Sequence, residues 1–145
     1  MRKTIQLLAA AFIAVLATAA PRAAQAQDFK IIVNSANAID AISADEAGKI
    51  FLKQAAKFAS GTTAAPVDQG KASPVRAAFT KAVHGKSVAA IETFWQQQIF
   101  SGKEVPPVSK GSDDDVIAFV KSNPGGIGYV SSGAATAGVK VIAIK

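Results

Sequence analysis

The sequence predicts an α/β domain built on a partly parallel sheet. Three observations carry that reading. Short strand-like runs recur at 29–34, 64–68, 127–130 and 139–144. Segments with helical spacing of apolar residues lie between them, opened by Ser43, Ser73, Ser87 and Ser112. Gly and Pro punctuate the joins. Strands interleaved with helices favour crossover connections, and hence parallel pairing.

In chain order, the first element is an export signal. Arg2 and Lys3 form a positive start, Ile5 to Ala20 is almost wholly apolar, and Ala24-Gln25-Ala26 offers a small-x-small cleavage site. A transmembrane anchor is the competing reading. The run is shorter than the ~20 apolar residues a span needs, and Pro21 and Arg22 follow it. The expected division is therefore a cleaved signal over 1–26 and one domain over 27–145. With no cysteine at the cut, a lipid anchor on that residue is excluded.

Phe29 to Asn34 (FKIIVN) reads as a buried strand. Ser43-Ala44-Asp45-Glu46 fits a capping box, with Ser43 bonding the amide of Glu46 and Glu46 reaching back. A helix follows to about Leu52, with Ile50 and Phe51 inward. Ser60-Gly61-Thr62 is turn chemistry, and Ala64 to Asp68 a strand. Ser73-Pro74 starts a second helix, with Pro at a position where its missing N–H is harmless. Val75, Phe79, Ala82 and Val83 make its inward face, and Gly85 stops it. Ser87 caps a third helix on the spacing of Ile91, Phe94, Trp95 and Ile99, ended by Gly102. Ser112 caps a fourth. Asp113, Asp114 and Asp115 in its first turn read as a solvated cap that complements the helix dipole. Asn123-Pro124-Gly125-Gly126 breaks it, and Ile127–Val130 and Val139–Ile144 are the last strands. The echo of IFLK at 50–53 and IFSGK at 99–103 marks two helix ends running into turns.

Composition narrows the chemistry. The 145 residues contain no cysteine and a single histidine, His84. Disulfide scaffolds, Cys-ligated metal sites, thiol catalysis and a His-based metal cluster are thereby excluded. No nucleophile elbow and no carboxylate pair at suggestive spacing are present, so an enzyme is not expected. The formal charge is +6, but removal of Arg2, Lys3 and Arg22 leaves 13 basic against 10 acidic residues, +3 net. The remaining lysines are scattered, which argues against nucleic acid as a partner.

The most informative stretch is Val67 to Arg76. A strand end, a turn through Gly70, a capping Ser73 and a first helical turn carrying Arg76 together resemble an anion site. Lys71 and Arg76 suit phosphate or carboxylate. The same residues also read as a plain cap with solvated charges. His84, just before Gly85, reads as a last-turn residue, and Trp95 as core. Gly125-Gly126-Ile127-Gly128 precedes a strand, which points to close backbone packing or a hinge rather than to nucleotide binding.

Four segments in fixed order, IIVNSAN…IDAISADEAGKIFLK, PVDQGKASPVRAAF, FWQQQIFSGKEVPP and NPGGIGYV, give the chain a resemblance. Over nearly all of residues 29–131 it resembles the phosphate-binding proteins of bacterial ABC importers, in a short, single-lobe form. The resemblance implies one lobe, similar to half of a type II periplasmic binding protein. Its sheet would be mixed and mostly parallel, about four strands flanked by about four helices. In full-length members phosphate lies between two lobes, one of which offers an Arg-x-Asp-Gly-Ser-Gly-Thr type segment. Here Asp68 matches the Asp, Gly70 a glycine and Ser73 the helix-capping Ser. Pro66 and Val67 stand where the Arg is expected, and the Ser-Gly-Thr is reduced to Ala72-Ser73-Pro74. Arg76 supplies charge from a different position. The first-lobe motif is absent, which implies an exposed and weaker site.

The roles implied are these. Ser73 caps the ligand through hydroxyl and amide, Lys71 and Arg76 supply charge, Asp68 accepts a proton from monohydrogen phosphate, and Gln69 donates a hydrogen bond. The expected partners are phosphate or a similar oxyanion and an ABC permease or another periplasmic protein, with the chain a monomer or weak homodimer. No cofactor, metal or membrane anchoring is expected, and the location is the periplasm. The alternative is a periplasmic interaction or regulatory module that kept the fold and lost the cleft.

Overall fold

The structure, a computed structural model, describes residues 28–145. The export signal expected over 1–26 lies outside the described residues. The chain forms β1 (Phe29–Asn34), β2 (Ala41–Ile42), α1 (Ala44–Phe51), β3 (Ala65–Gln69), α2 (Pro74–His84), α3 (Val88–Phe100), β4 (Val108–Lys110), α4 (Asp113–Ser122), β5 (Gly126–Ser131) and β6 (Val139–Ile144). The strands make one sheet in the order β2-β6-β1-β5-β3-β4. β1 pairs antiparallel with β5 and β6, whereas β2–β6, β3–β5 and β3–β4 are parallel. The sheet is therefore mixed and mostly parallel, with β1 alone reversed.

Two strands exceed the four expected from sequence. β2 and β4 have two and three residues, too short to carry an alternating pattern. They exist because β6 and β3 offer them an edge to pair with.

β1 is apolar nearly throughout because both faces of the sheet are covered. Phe29, Ile31 and Val33 join Ile50, Phe51, Phe79 and Tyr129 on the α1/α2 side. Ile32 joins Val67, Val116, Val120 and Val130 on the α4 side. Asn34, at the end of β1, donates from Nδ2 to the carbonyls of Val120 (2.9 Å) and Lys121 (3.0 Å), capping the end of α4.

All four serine caps form, each hydroxyl accepting from the backbone N–H three residues on: Glu46, Arg76, Ala90 and Asp115. The capping box at Ser43 is only half made. Glu46 Oε1 accepts instead from the Ala59 N–H at 2.9 Å, tying the loop after α1 to its first turn. Both echoed helix ends pass through a left-handed residue, Lys53 (φ 54°) and Gly102 (φ 67°).

Two faces differ from expectation. Ala82 on α2 is exposed, and Arg76 takes the inward place beside Phe79 and Thr80. Ile99 on α3 is 53% exposed, because α3 packs mainly on α2 through Ile91 and Trp95 and its last turn projects beyond that support. Trp95 is core, as its spacing suggests.

Candidate functional site

β3 delivers Asp68 and Gln69 to its carboxyl end, the usual position for ligands in open α/β sheets. The chain turns at Gly70, and the Ser73 N–H donates to the Gly70 carbonyl (2.9 Å) before Pro74 opens α2. Arg76, one turn later, points back under the strand end. A cleft of about 280 Å³ opens here, lined among others by Asp68, Lys71, Arg76, Glu92, Trp95 and Ser109. Lys71 is exposed and stands between this cleft and a broader groove of about 620 Å³ that touches Ser73, Lys81 and Lys86.

The five residues singled out in the sequence are brought together, but not as free ligand groups. Gln69 is buried. Its Nε2 donates to Asp113 Oδ1 (2.8 Å) and the Tyr129 carbonyl (3.0 Å), and its Oε1 accepts from the Ser73 hydroxyl (2.9 Å). Ser73 thus uses its hydroxyl proton on Gln69 and its lone pair on the Arg76 N–H (3.3 Å), and its own N–H on Gly70. Neither Gln69 nor Ser73 has a donor directed at the cleft. Asp68, Lys71 and Arg76 do line it.

The Arg76 side chain is 6% exposed. It donates from Nη1 to the Gln69 carbonyl (3.0 Å) and from Nη2 to Glu92 Oε1 (2.6 Å), with Asp68 Oδ2 at 3.5 Å. Its Nε–H is buried and has no partner. Asp68 Oδ1 accepts from the Tyr129 hydroxyl and from the Gln69 N–H. Burial holds the Asp68 carboxyl above the usual carboxylate range, and the pull of Arg76, Tyr129 and Gln69 does not cancel it.

Beneath this cluster, Asp113 corrects the expectation of a solvated cap. Its carboxylate accepts from Gln69 Nε2, the Ser131 N–H (3.2 Å) and the Ser131 hydroxyl. Burial raises its pKa, but these hydrogen bonds outweigh burial and leave it below the ordinary value. Tyr129 is fully buried, stacked on Phe79 at 3.9 Å between ring centres. Burial, then the Asp68 charge, pushes its hydroxyl far above the usual tyrosine range. Glu92, Asp113, Tyr129 and Ser131 were not legible as site residues. The signal available for Glu92 was its place between Ile91 and Trp95, on the flank of α3 that faces α2.

His84 ends α2 as its position suggests, edge-on to Phe79 at 5.8 Å. Burial, then the positive charges of Lys86 and Arg76, lowers its pKa to about 4. Below pH 6.5 the unfolded chain takes up a proton that the folded one refuses. Stability is therefore full above pH 6.5 and falls as the pH drops toward 4. Because the ring is partly exposed, a loss on the order of 1–2 kcal/mol is expected. Urea melts at pH 7 and pH 4.5 should show that His84→Gln loses less stability than the parent over this interval; an equal loss would contradict the assignment.

Among the described residues no group of three or more His, Cys, Asp or Glu could hold a metal ion, and no helix is long and apolar enough to cross a membrane. No family model matches the chain, and no curated protein matches it in sequence. Solved structures share its fold. An ABC-type phosphate transport receptor from Vibrio cholerae superposes with a TM-score of 0.64 at 18% identity, covering 81% of this chain and 46% of the receptor. A putative phosphate ABC transporter substrate-binding protein from Clostridium perfringens, solved with bound phosphate, gives 0.63 at 15%, covering 81% and 44%. A possible phosphate binding protein from Planctomyces limnophilus gives 0.61 at 16%, covering 81% and 41%. The chain thus has the fold of a single lobe and spans less than half the length of the proteins it matches.

Proposed function

We propose that this chain is a periplasmic binding protein for phosphate or a similar oxyanion, serving an ABC importer, and that it works as one open lobe. The single observation that carries the reading is the cleft at the carboxyl end of β3, where Lys71 and the buried Arg76 meet beside the start of α2. The fold shared with phosphate transport receptors and binding proteins supports it. Lys71 and Arg76 supply the charge, and Asp68 offers an acceptor to a protonated oxyanion. The role is binding, not catalysis.

The same cleft carries two carboxylates, Asp68 and Glu92, against two cations. Nothing in it has a net preference for anions, so the affinity is modest. Titration of the purified protein with phosphate at low salt, with sulfate alongside, should give saturable heat with a Kd of roughly 0.1–1 mM, equivalent to about 4–5.5 kcal/mol. Lys71→Ala, an exposed change, should weaken it severalfold without altering the melting temperature. No heat and no thermal shift at 10 mM phosphate, about 2.7 kcal/mol, would overturn the reading.

A second reading has an observation of its own. Ile99, Phe100, Val105 and Val108 stand 53%, 96%, 56% and 52% exposed, on the last turn of α3, the loop after it and the edge strand β4. A protein that kept the fold for contacts with another protein would expose such a surface. A pull-down returning one stoichiometric partner with and without phosphate would favour this reading; recovery that requires phosphate would favour the first.

A further inference from the structure

Arg76 is the deepest charge in the cleft, and one edge of its guanidinium is only half used. That edge carries the Nε–H and one Nη2 proton side by side, the fork that a carboxylate or phosphate grips with two oxygens. Glu92 reaches it with a single oxygen, Oε1 at 2.6 Å from Nη2. The neighbouring Nε–H has no acceptor, although the side chain is 6% exposed and an unmet buried donor is costly. Asp68, at 3.5 Å from the same Nη2, does not fill the place either, since its Oδ1 is taken by Tyr129 and the Gln69 N–H.

The two carboxylates differ in freedom. Asp68 is 13% exposed, is fixed on a strand and is held by three neighbours. Glu92 is 39% exposed, projects from α3 and makes no hydrogen bond other than that to Arg76 among the described residues. It can turn into solvent at the cost of one ion pair; Asp68 cannot.

We infer that Glu92 is a built-in competitor for the oxyanion: its carboxylate holds the position on Arg76 that a bound phosphate would take, and binding requires it to swing out. This rests on the reading of the cleft as an oxyanion site and names the residue that sets its affinity. While Glu92 is in place, an incoming anion meets a like charge within the same small cleft. Once it is displaced, phosphate can present two oxygens to Nε and Nη2 and a third to Lys71, and the orphan donor is satisfied.

The test is titration of the full chain with inorganic phosphate, and separately with sulfate, in Glu92→Gln. Gln keeps the length and an acceptor oxygen for Arg76 but loses the charge, and Glu92 is exposed enough for the fold to tolerate it. The expected result is affinity at least tenfold above that of the parent, about 1.4 kcal/mol, with the gain lost in Glu92→Gln/Arg76→Lys, which keeps a cation but not the fork. Unchanged affinity in Glu92→Gln, with parental binding that Lys71→Ala weakens, would overturn the inference and leave the oxyanion reading standing. A silent parent with a binding Glu92→Gln would support Glu92 as the competitor on Arg76 and overturn the proposed role of the parent as an oxyanion-binding protein. Silence in both, with melting transitions intact, would overturn both.

Discussion

Replacing Gly125 by alanine is expected to cost more than about 3 kcal/mol, the largest loss expected at any glycine among the described residues. A Cβ at Gly125 would be driven into the Thr63 carbonyl, oxygen first. Both partners are backbone, so no rotamer change relieves the overlap. The crossing cannot loosen cheaply, because the Ala65 N–H donates to the Gly125 carbonyl at 2.8 Å, and the next residues open the β3–β5 ladder. Gly126 and Gly128 are similarly enclosed: an added Cβ would lie 2.9 Å from the Asn123 carbonyl oxygen at the first and 2.7 Å from Val116 Cγ1 at the second. Urea melts of Gly125→Ala should show the loss, with Gly111→Ala as control. A Cβ at Gly111 meets nothing within 4 Å, and its change should stay within about 0.5 kcal/mol. Near-parental stability in Gly125→Ala would refute this account of the glycine cluster.

Removing Arg76 should be almost as severe. Arg76→Ala leaves Asp68 buried without its ion-pair partner and strips the Gln69 carbonyl of its donor, a change of about 3–5 kcal/mol at pH 7.5. The loss should depend on pH in a defined direction. Burial already raises the Asp68 pKa with Arg76 present, and without it the rise is greater. A folded-state pKa above the unfolded value means that protonation favours the fold. The deficit should therefore shrink as the pH falls from 7.5 to 5, and grow as it rises. Asp68→Asn in the Arg76→Ala background should restore part of the lost stability at pH 7.5. A deficit independent of pH would show that Asp68 is not the group left stranded.

These two residues also show how far the sequence could be read. The glycine run at the start of β5 was legible as close packing or a hinge, because glycines entering a strand rather than a helix have few other uses. The serine caps were legible because a hydroxyl followed by a helical pattern is a local code, settled within four residues. The fate of Arg76 and Gln69 was not local. Their polar atoms are claimed by Glu92, Asp113 and Tyr129, which lie 16, 44 and 60 residues away from their respective partners. A helix start seen in isolation looks like an open anion site; only the packing of α3 and α4 around it shows which donors are spent. β2 and β4 escaped for a related reason, since their two and three residues are strands only through their neighbours.

The reversed strand β1 carries a consequence for the order of assembly. Its register partners on β5 and β6 lie about a hundred residues further along the chain. During synthesis this largely apolar strand therefore waits, unpaired, until nearly all of 28–145 has been made. α1 and α2 can meet earlier, but the middle of the sheet closes late, and contacts of such long range slow folding. A chain whose sheet stays open until its last strands arrive leaves these apolar side chains exposed to other copies of itself in the meantime.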